Sequence, residues 1–222
     1  MAEVVDRIVN AGPSPQIYYF LKRKELRLTG NIKANPMLDE KSIASCRMFV
    51  DRTAMVLALA ARGGIGAEVG IWDGDFSAIL LQILAPTQLH LIDIAVRERV
   101  TTRFRDKLDE AILTVHQGDS VEVLRQFPDE HFNWIYVDGD HSYYGVSRDA
   151  EVAIRKIKPA GVLFFNDYTM GDHNVPERFF PYGVIPVVND LCLNSGFEMI
   201  GFAFHSEMYC DVAIRRRQGE PV

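Results

Sequence analysis

Five places along this chain set acidic or amide side chains directly after an apolar run. They are Glu68 with Gly70, Asp93, Gly118 with Asp119, Asp138 with Asp140 and His141, and Asn166 with Asp167. Carboxylates accept hydrogen bonds from hydroxyls and amines and attract cations. An imidazole among them can take up a proton near neutral pH. An Asp after a strand is most often a helix cap, but five such endings in succession point to one shared edge. The stretch "GAEVGIWDGDFS", Gly66 to Ser77, narrows the chemistry. It spells Glu-x-Gly-x-x-x-Gly and not Gly-x-Gly-x-x-Gly. Gly70 and Gly74 permit a tight turn and close approach of backbone to a ligand. Glu68, Asp73 and Asp75 make a phosphate an awkward guest, so the expected ligand is cationic and bears hydroxyls.

The elements that must position these residues alternate from Gly66 onward. "GAEVGIW", "QLHLIDIA", "ILTVHQGDS", "FNWIYVDGDH" and "GVLFFNDYT" read as buried strands. "DFSAILLQIL", "VRERVTTRFRDKL", "SVEVLRQFP" and "YYGVSRDAEVAIRKIK" read as the helices between them. Such alternation implies a parallel sheet with helices on both faces, and right-handed crossovers make it doubly wound. The tail differs. After the helix "GVIPVVNDLCLNSG", the strands "FEMIGFAFH" and "MYCDVAIRRR" are joined by too few residues for a crossover, so they form an antiparallel hairpin. The fold expected is α/β: a doubly wound, mostly parallel seven-stranded sheet with an antiparallel C-terminal hairpin. Ligands of such sheets sit at the carboxyl ends of the strands, near the switch point. Ahead of the strands, residues 39–64 read as one helix ending at Gly63-Gly64. Residues 1–38 read as a helical and loop extension, a lid or an oligomer contact, and residues 39–222 as the main domain.

The 222 residues are 48% hydrophobic, enough for a sizeable core. No apolar run approaches the ~20 residues of a membrane span, and Glu3 and Asp6 lie where a signal peptide would be basic. A soluble, cytoplasmic protein is expected. The net charge of −6 gives no general attraction to nucleic acid. Cys46, Cys192 and Cys210 are few and scattered, which suits buried thiols better than a zinc site or disulfide framework. Arg215 to Arg217 read as a solvated strand end.

S-adenosylmethionine meets the requirement for a cation with hydroxyls, having a sulfonium, an ammonium, a ribose and only one carboxylate. The chain resembles the class I S-adenosylmethionine-dependent methyltransferases, a Rossmann-like fold, on "EVGIWDG", "LIDIA", "GDS", "VDGDH" and "GVLFFND" in matching order, with the terminal hairpin in agreement. The resemblance implies that Glu68, Gly70 and Gly74 surround the methionine part of the cofactor. It implies that Asp93 accepts from the ribose, that Asp119 lies by the adenine amino group, and that Asp138 sits near the methyl-transfer centre. "VDGDHSYYGVSRDAEVAIRKIKPAGVLFFND" is similar to a branch of small-molecule O-methyltransferases that includes the macrolide-sugar enzymes. That likeness implies a magnesium ion at Asp138, Asn166 and Asp167, although many relatives carry two acids, or Asp then Asn, where this chain has Asn166 then Asp167. It also implies His141 as general base, with Asp138 in that role if the metal is absent. Magnesium coordination of the acceptor hydroxyl would ease its deprotonation.

The acceptor expected is a small molecule. Residues 168–183 form a long aromatic-rich stretch in which Tyr168, His173, Phe179, Phe180 and Tyr182 could line its pocket. His90, His116 and His131 receive no chemical role. A nicotinamide-dependent oxidoreductase is the nearest rival, opposed by the glycine spacing and the hairpin. A cofactor-binding protein without catalysis would keep Glu68, Gly70 and Asp93 but need no base.

Overall fold

The computed structural model describes residues 35–170 and 182–217. The expected roles of residues 1–34, His173, Phe179 and Phe180 fall outside the described residues. Among the described residues, the chain runs α1 (Glu40–Ile43), β1 (Arg47–Phe49), α2 (Arg52–Leu59), β2 (Ile65–Val69), α3 (Asp75–Leu84) and β3 (Gln88–Asp93). It continues through α4 (Glu98–Arg103), α5 (Arg105–Asp109), β4 (Leu113–Gln117), α6 (Ser120–Arg125), β5 (Phe132–Val137) and α7 (Tyr143–Lys156). The last elements are β6 (Ile157–Phe165), α8 (Val184–Asn194), β7 (Phe197–Ala203) and β8 (Asp211–Arg216).

The strands form one sheet in the order β1-β7-β8-β6-β5-β2-β3-β4. Every pairing is parallel except those of β8, which is antiparallel to both β6 and β7. The chain lays β3 and β4 on one side of β2, then returns to place β5 and β6 on the other. That reversal opens a crevice between the carboxyl ends of β2 and β5. Apolar strands sealed on both faces build the core. Met55 and Val56 of α2, Phe76 and Leu80 of α3, and Val100 of α4 pack on one face. Val121 of α6, Val146 and Ala150 of α7, and Val187 of α8 pack on the other.

Two expectations need correction. The sheet has eight strands, not seven, and residues 39–64 are not one helix. Asp39 does cap a helix, accepting from the Ser42 amide, but α1 lasts only four residues. Arg47 to Phe49 then pair in parallel with Gly201 to Ala203. Asp51 restarts the helix by accepting from the Ala54 amide at 2.7 Å. The helical spacing is real on either side of the break, but a three-residue edge strand exists only through a partner some 150 residues away, which periodicity cannot register. The arginines expected as a solvated strand end are partly exposed but partnered: Arg215 pairs with Glu198 at 3.0 Å, and Arg217 donates to the Cys192 carbonyl at 2.6 Å and the Ser42 hydroxyl at 3.0 Å.

Candidate active site

The crevice holds a cavity of about 800 Å³ lined by the ends of β2, β3, β4 and β5, within the range for small-molecule sites. The first wall is the turn after β2. Gly70 has φ +81° and Gly74 has φ +76°, the left-handed region that glycine enters without strain. A Cβ on Gly70 would lie 2.0 Å from the Asp138 carbonyl oxygen, so the turn after β2 and the end of β5 touch backbone to backbone. Glu68, 1% exposed, accepts from the Ser77 hydroxyl of α3. Burial pushes its carboxyl up to about 8, against the opposing effect of the Ser77 bond.

Asp93 faces the same wall and is heavily engaged. Oδ2 accepts from the amides of Ile71 at 2.9 Å and Trp72 at 3.2 Å, and Oδ1 accepts from Ala95 at 2.9 Å. It therefore shapes the glycine turn while lining the cavity. Asp73, also on the cavity lining, pairs with Arg97 at 3.0 Å and Arg99 at 2.9 Å, and the Arg97 guanidinium lies 3.5 Å from the centroid of the exposed Trp72 ring. Asp119 caps α6 through the amides of Val121 and Glu122 and pairs with Arg148 at 3.1 Å. Asp140 turns back to the amide and hydroxyl of Ser142, both at 2.9 Å.

A second cluster gathers where β5 and β6 end. Asp138 accepts from the Asn166 side-chain nitrogen at 2.8 Å. Arg52, the first residue of α2, donates to Asn166 Oδ1 at 3.3 Å and lies 4.0 Å from Asp138 Oδ2. The His141 Nε2 atom lies 3.4 Å from Asp138 Oδ1 and 3.9 Å from Asp167 Oδ2. It is shielded from solvent and has no aligned hydrogen-bond partner among the described residues. Burial would lower the His141 pKa, but Asp138, Asp167 and Asp140 together raise it above 6.5. Beneath them Tyr136 donates to Asp211, whose carboxyl burial pushes up to about 6.

Glu68, Gly70, Asp93, Asp119, Asp138 and His141 thus share one cavity wall. Gly74 starts α3 behind it, and Asn166 and Asp167 stand beyond His141. The metal set fits poorly as arranged. Arg52 must donate and Asp138 must accept, so the Asn166 amide turns its nitrogen toward Asp138 and its oxygen toward Arg52. A magnesium ion needs oxygen donors, and the oxygen here faces a guanidinium. Tyr168 also departs from its expected place at an acceptor pocket: it is buried and donates to Asn189 Oδ1 at 2.6 Å. Tyr182 does stand by the site, its ring centroid 5.6 Å from that of His141. Sequence reasoning missed Arg52 and Asp211. The aspartate before Arg52 is a capping signal, but nothing local says that the arginine turns toward the strand ends.

Residues 67–168 match the family model described as a methyltransferase domain. The chain has the class I methyltransferase fold. No curated protein matches the sequence. Among solved structures, the O-methyltransferase TomG from Streptomyces achromogenes, involved in tomaymycin synthesis and solved with S-adenosylmethionine, aligns at TM-score 0.58 and 16% identity over 74% of this chain and 77% of that one. The pyocyanin biosynthetic protein PhzM aligns at TM-score 0.56 and 14% identity over 76% of this chain, which spans only 55% of that protein. A structural-genomics protein from Corynebacterium glutamicum aligns at TM-score 0.58 and 14% identity over 99% of both chains. At these identities the shared property is the methyltransferase fold. No helix among the described residues is long and apolar enough to cross a membrane.

Proposed function

We propose that this chain is an S-adenosylmethionine-dependent methyltransferase acting on the hydroxyl of a small molecule. The observation that carries the reading is the His141 imidazole set between Asp138 and Asp167 on the wall of the strand-end cavity. The matched methyltransferase domain supports the cofactor. Glu68, Gly70 and Gly74 would surround its methionine part. Asp93 keeps lone pairs for the ribose beside its backbone bonds, and Asp119 stands at the adenine end. In this reading the acceptor hydroxyl gives its proton to His141 as the acceptor oxygen bonds the methyl carbon and the carbon–sulfur bond breaks. The positive charge leaves the sulfonium and appears on the imidazolium, where Asp138 and Asp167 balance it. Because Nε2 is covered, a hydroxyl reaches it only when neighbouring side chains shift. The remaining work is to hold oxygen, methyl carbon and sulfur in line. No step is assigned to magnesium, because the Asn166 oxygen faces the Arg52 guanidinium while its nitrogen faces Asp138.

The test is turnover with a methyl-labelled cofactor and identification of the methylated atom. His141→Ala should lower kcat by roughly 10²–10⁴ with cofactor affinity intact. In the wild type kcat should rise with pH through a pKa above 6.5, since only the neutral ring is a base. A variant with full kcat at every pH, or methyl placed on carbon or nitrogen, overturns the assignment. Turnover that stops on chelation and returns with magnesium would reinstate the metal.

A further inference from the structure

We propose that Arg52 is the carboxylate subsite of the cavity and holds the amino-acid carboxylate of S-adenosylmethionine. The inference rests on the cofactor reading above and adds a residue that the strand-end motifs do not contain. Among the described residues, eight aspartate and glutamate side chains line the cavity, Glu68 of them protonated at neutral pH, beside two arginines, Arg52 and Arg148. The acids suit the cofactor's ammonium and sulfonium, but its single carboxylate would meet repulsion almost everywhere on this wall. Among the described lining residues, the two guanidinium groups are the permanently charged cations that could receive it. Arg148 is already committed, since both of its terminal nitrogens reach Asp119, at 3.1 and 3.4 Å. That pairing also lies at the β4 end of the cavity, away from the glycine turn.

Arg52 is placed differently. Its hydrogen bonds to Asn166 and Tyr136 are long, 3.3 and 3.5 Å, and both are made by Nη1. Nη2 and Nε have no partner among the described residues. The guanidinium carbon lies 4.1 Å from the centroid of the Phe76 ring, a cation–π contact that supports the head group. The planar fork of a guanidinium receives a carboxylate in bidentate fashion. Arg52 is 4.0 Å from Asp138, and the Asp138 backbone abuts Gly70, so the fork stands beside the turn assigned to the methionine part. The side chain is about one third exposed, open enough to be met by a ligand.

The same fork could instead receive a carboxylate on the acceptor, and the experiment separates the two. Calorimetry would compare S-adenosylhomocysteine with its decarboxylated amine, which keeps the ammonium, on wild type, Arg52→Gln and Arg52→Lys. Arg52→Gln should weaken S-adenosylhomocysteine by ~10–100-fold, the scale of a lost charged hydrogen bond, and leave the decarboxylated amine unchanged or slightly tighter. Arg52→Lys should recover part of the loss. Unaltered binding of the carboxylate ligand to Arg52→Gln overturns the subsite, and a raised acceptor KM in that variant would reassign the fork to the acceptor. Equal loss of both ligands also overturns it, as damage to the cavity as a whole. A wild-type chain that binds neither ligand overturns the cofactor reading itself, and the subsite with it.

Discussion

Glu68 illustrates how burial changes the meaning of a residue. As a letter in the sequence it is a negative charge beside a glycine turn. Buried against Ser77, with its carboxyl pushed up to about 8, it carries a proton at neutral pH. Its folded pKa lies above the unfolded value of 4.5, so the stability it confers is present below that value and lost as pH rises through about 8. A cation entering the cavity would draw the proton off. Binding of S-adenosylmethionine at pH 7 should therefore release close to one proton, and affinity should climb with pH until about 8. Calorimetry in two buffers of different ionisation enthalpy measures the release. Glu68→Gln should abolish it, and an identical release from that variant would assign the proton elsewhere.

At the scale of elements, the site depends on how closely the turn after β2 approaches the end of β5. Gly70 permits that approach twice over, by its positive φ and by having no Cβ to strike the Asp138 carbonyl. Gly70→Ala should cost at least ~2 kcal/mol, since backbone strain of this kind runs to about 1–3 kcal/mol and the contact adds to it. Urea unfolding gives that number. Any folded fraction should lose cofactor affinity, because the turn that carries the Asp93 hydrogen bonds must move. A variant with native stability and affinity would mean that the two strand ends can separate freely. The edge strand β1 acts at the same scale: by interrupting the expected helix, it sets the N-cap of α2 at Asp51 and so the position from which Arg52 reaches the site.

For the molecule as a whole, a histidine cluster away from the candidate site should contribute to acid sensitivity. His90, 5% exposed, meets His116 at 3.0 Å between ring nitrogens, with Phe127 and His131 packed around it. Burial, then the neighbouring His116 and His131, push His90 down to about 4. Its folded pKa lies below the unfolded value of 6.5. The stability it contributes is therefore full above 6.5 and falls as pH drops toward 4. Denaturant unfolding across that window should show a loss of up to ~3 kcal/mol from this residue. His90→Gln should flatten the curve, and an unchanged slope would place the acid sensitivity in other groups.

The sequence alone determined the class of the fold and the edge on which the candidate site lies. Alternating apolar runs require a doubly covered parallel sheet, a short final link requires the hairpin, and the residues after parallel strands must gather at one edge because those strands all run in the same direction. For that reason Glu68, Gly70, Asp93, Asp119, Asp138 and His141 could be placed on one edge from the sequence, and they line one cavity. Tertiary structure decided what each of them faces. Asp93 and Asp119 spend hydrogen-bonding capacity on turns and caps, and the Asn166 amide turns its oxygen from the expected metal position toward Arg52. Charge state, amide orientation and the approach of a side chain from a distant helix arise from burial and long-range packing, which no local pattern of residues encodes.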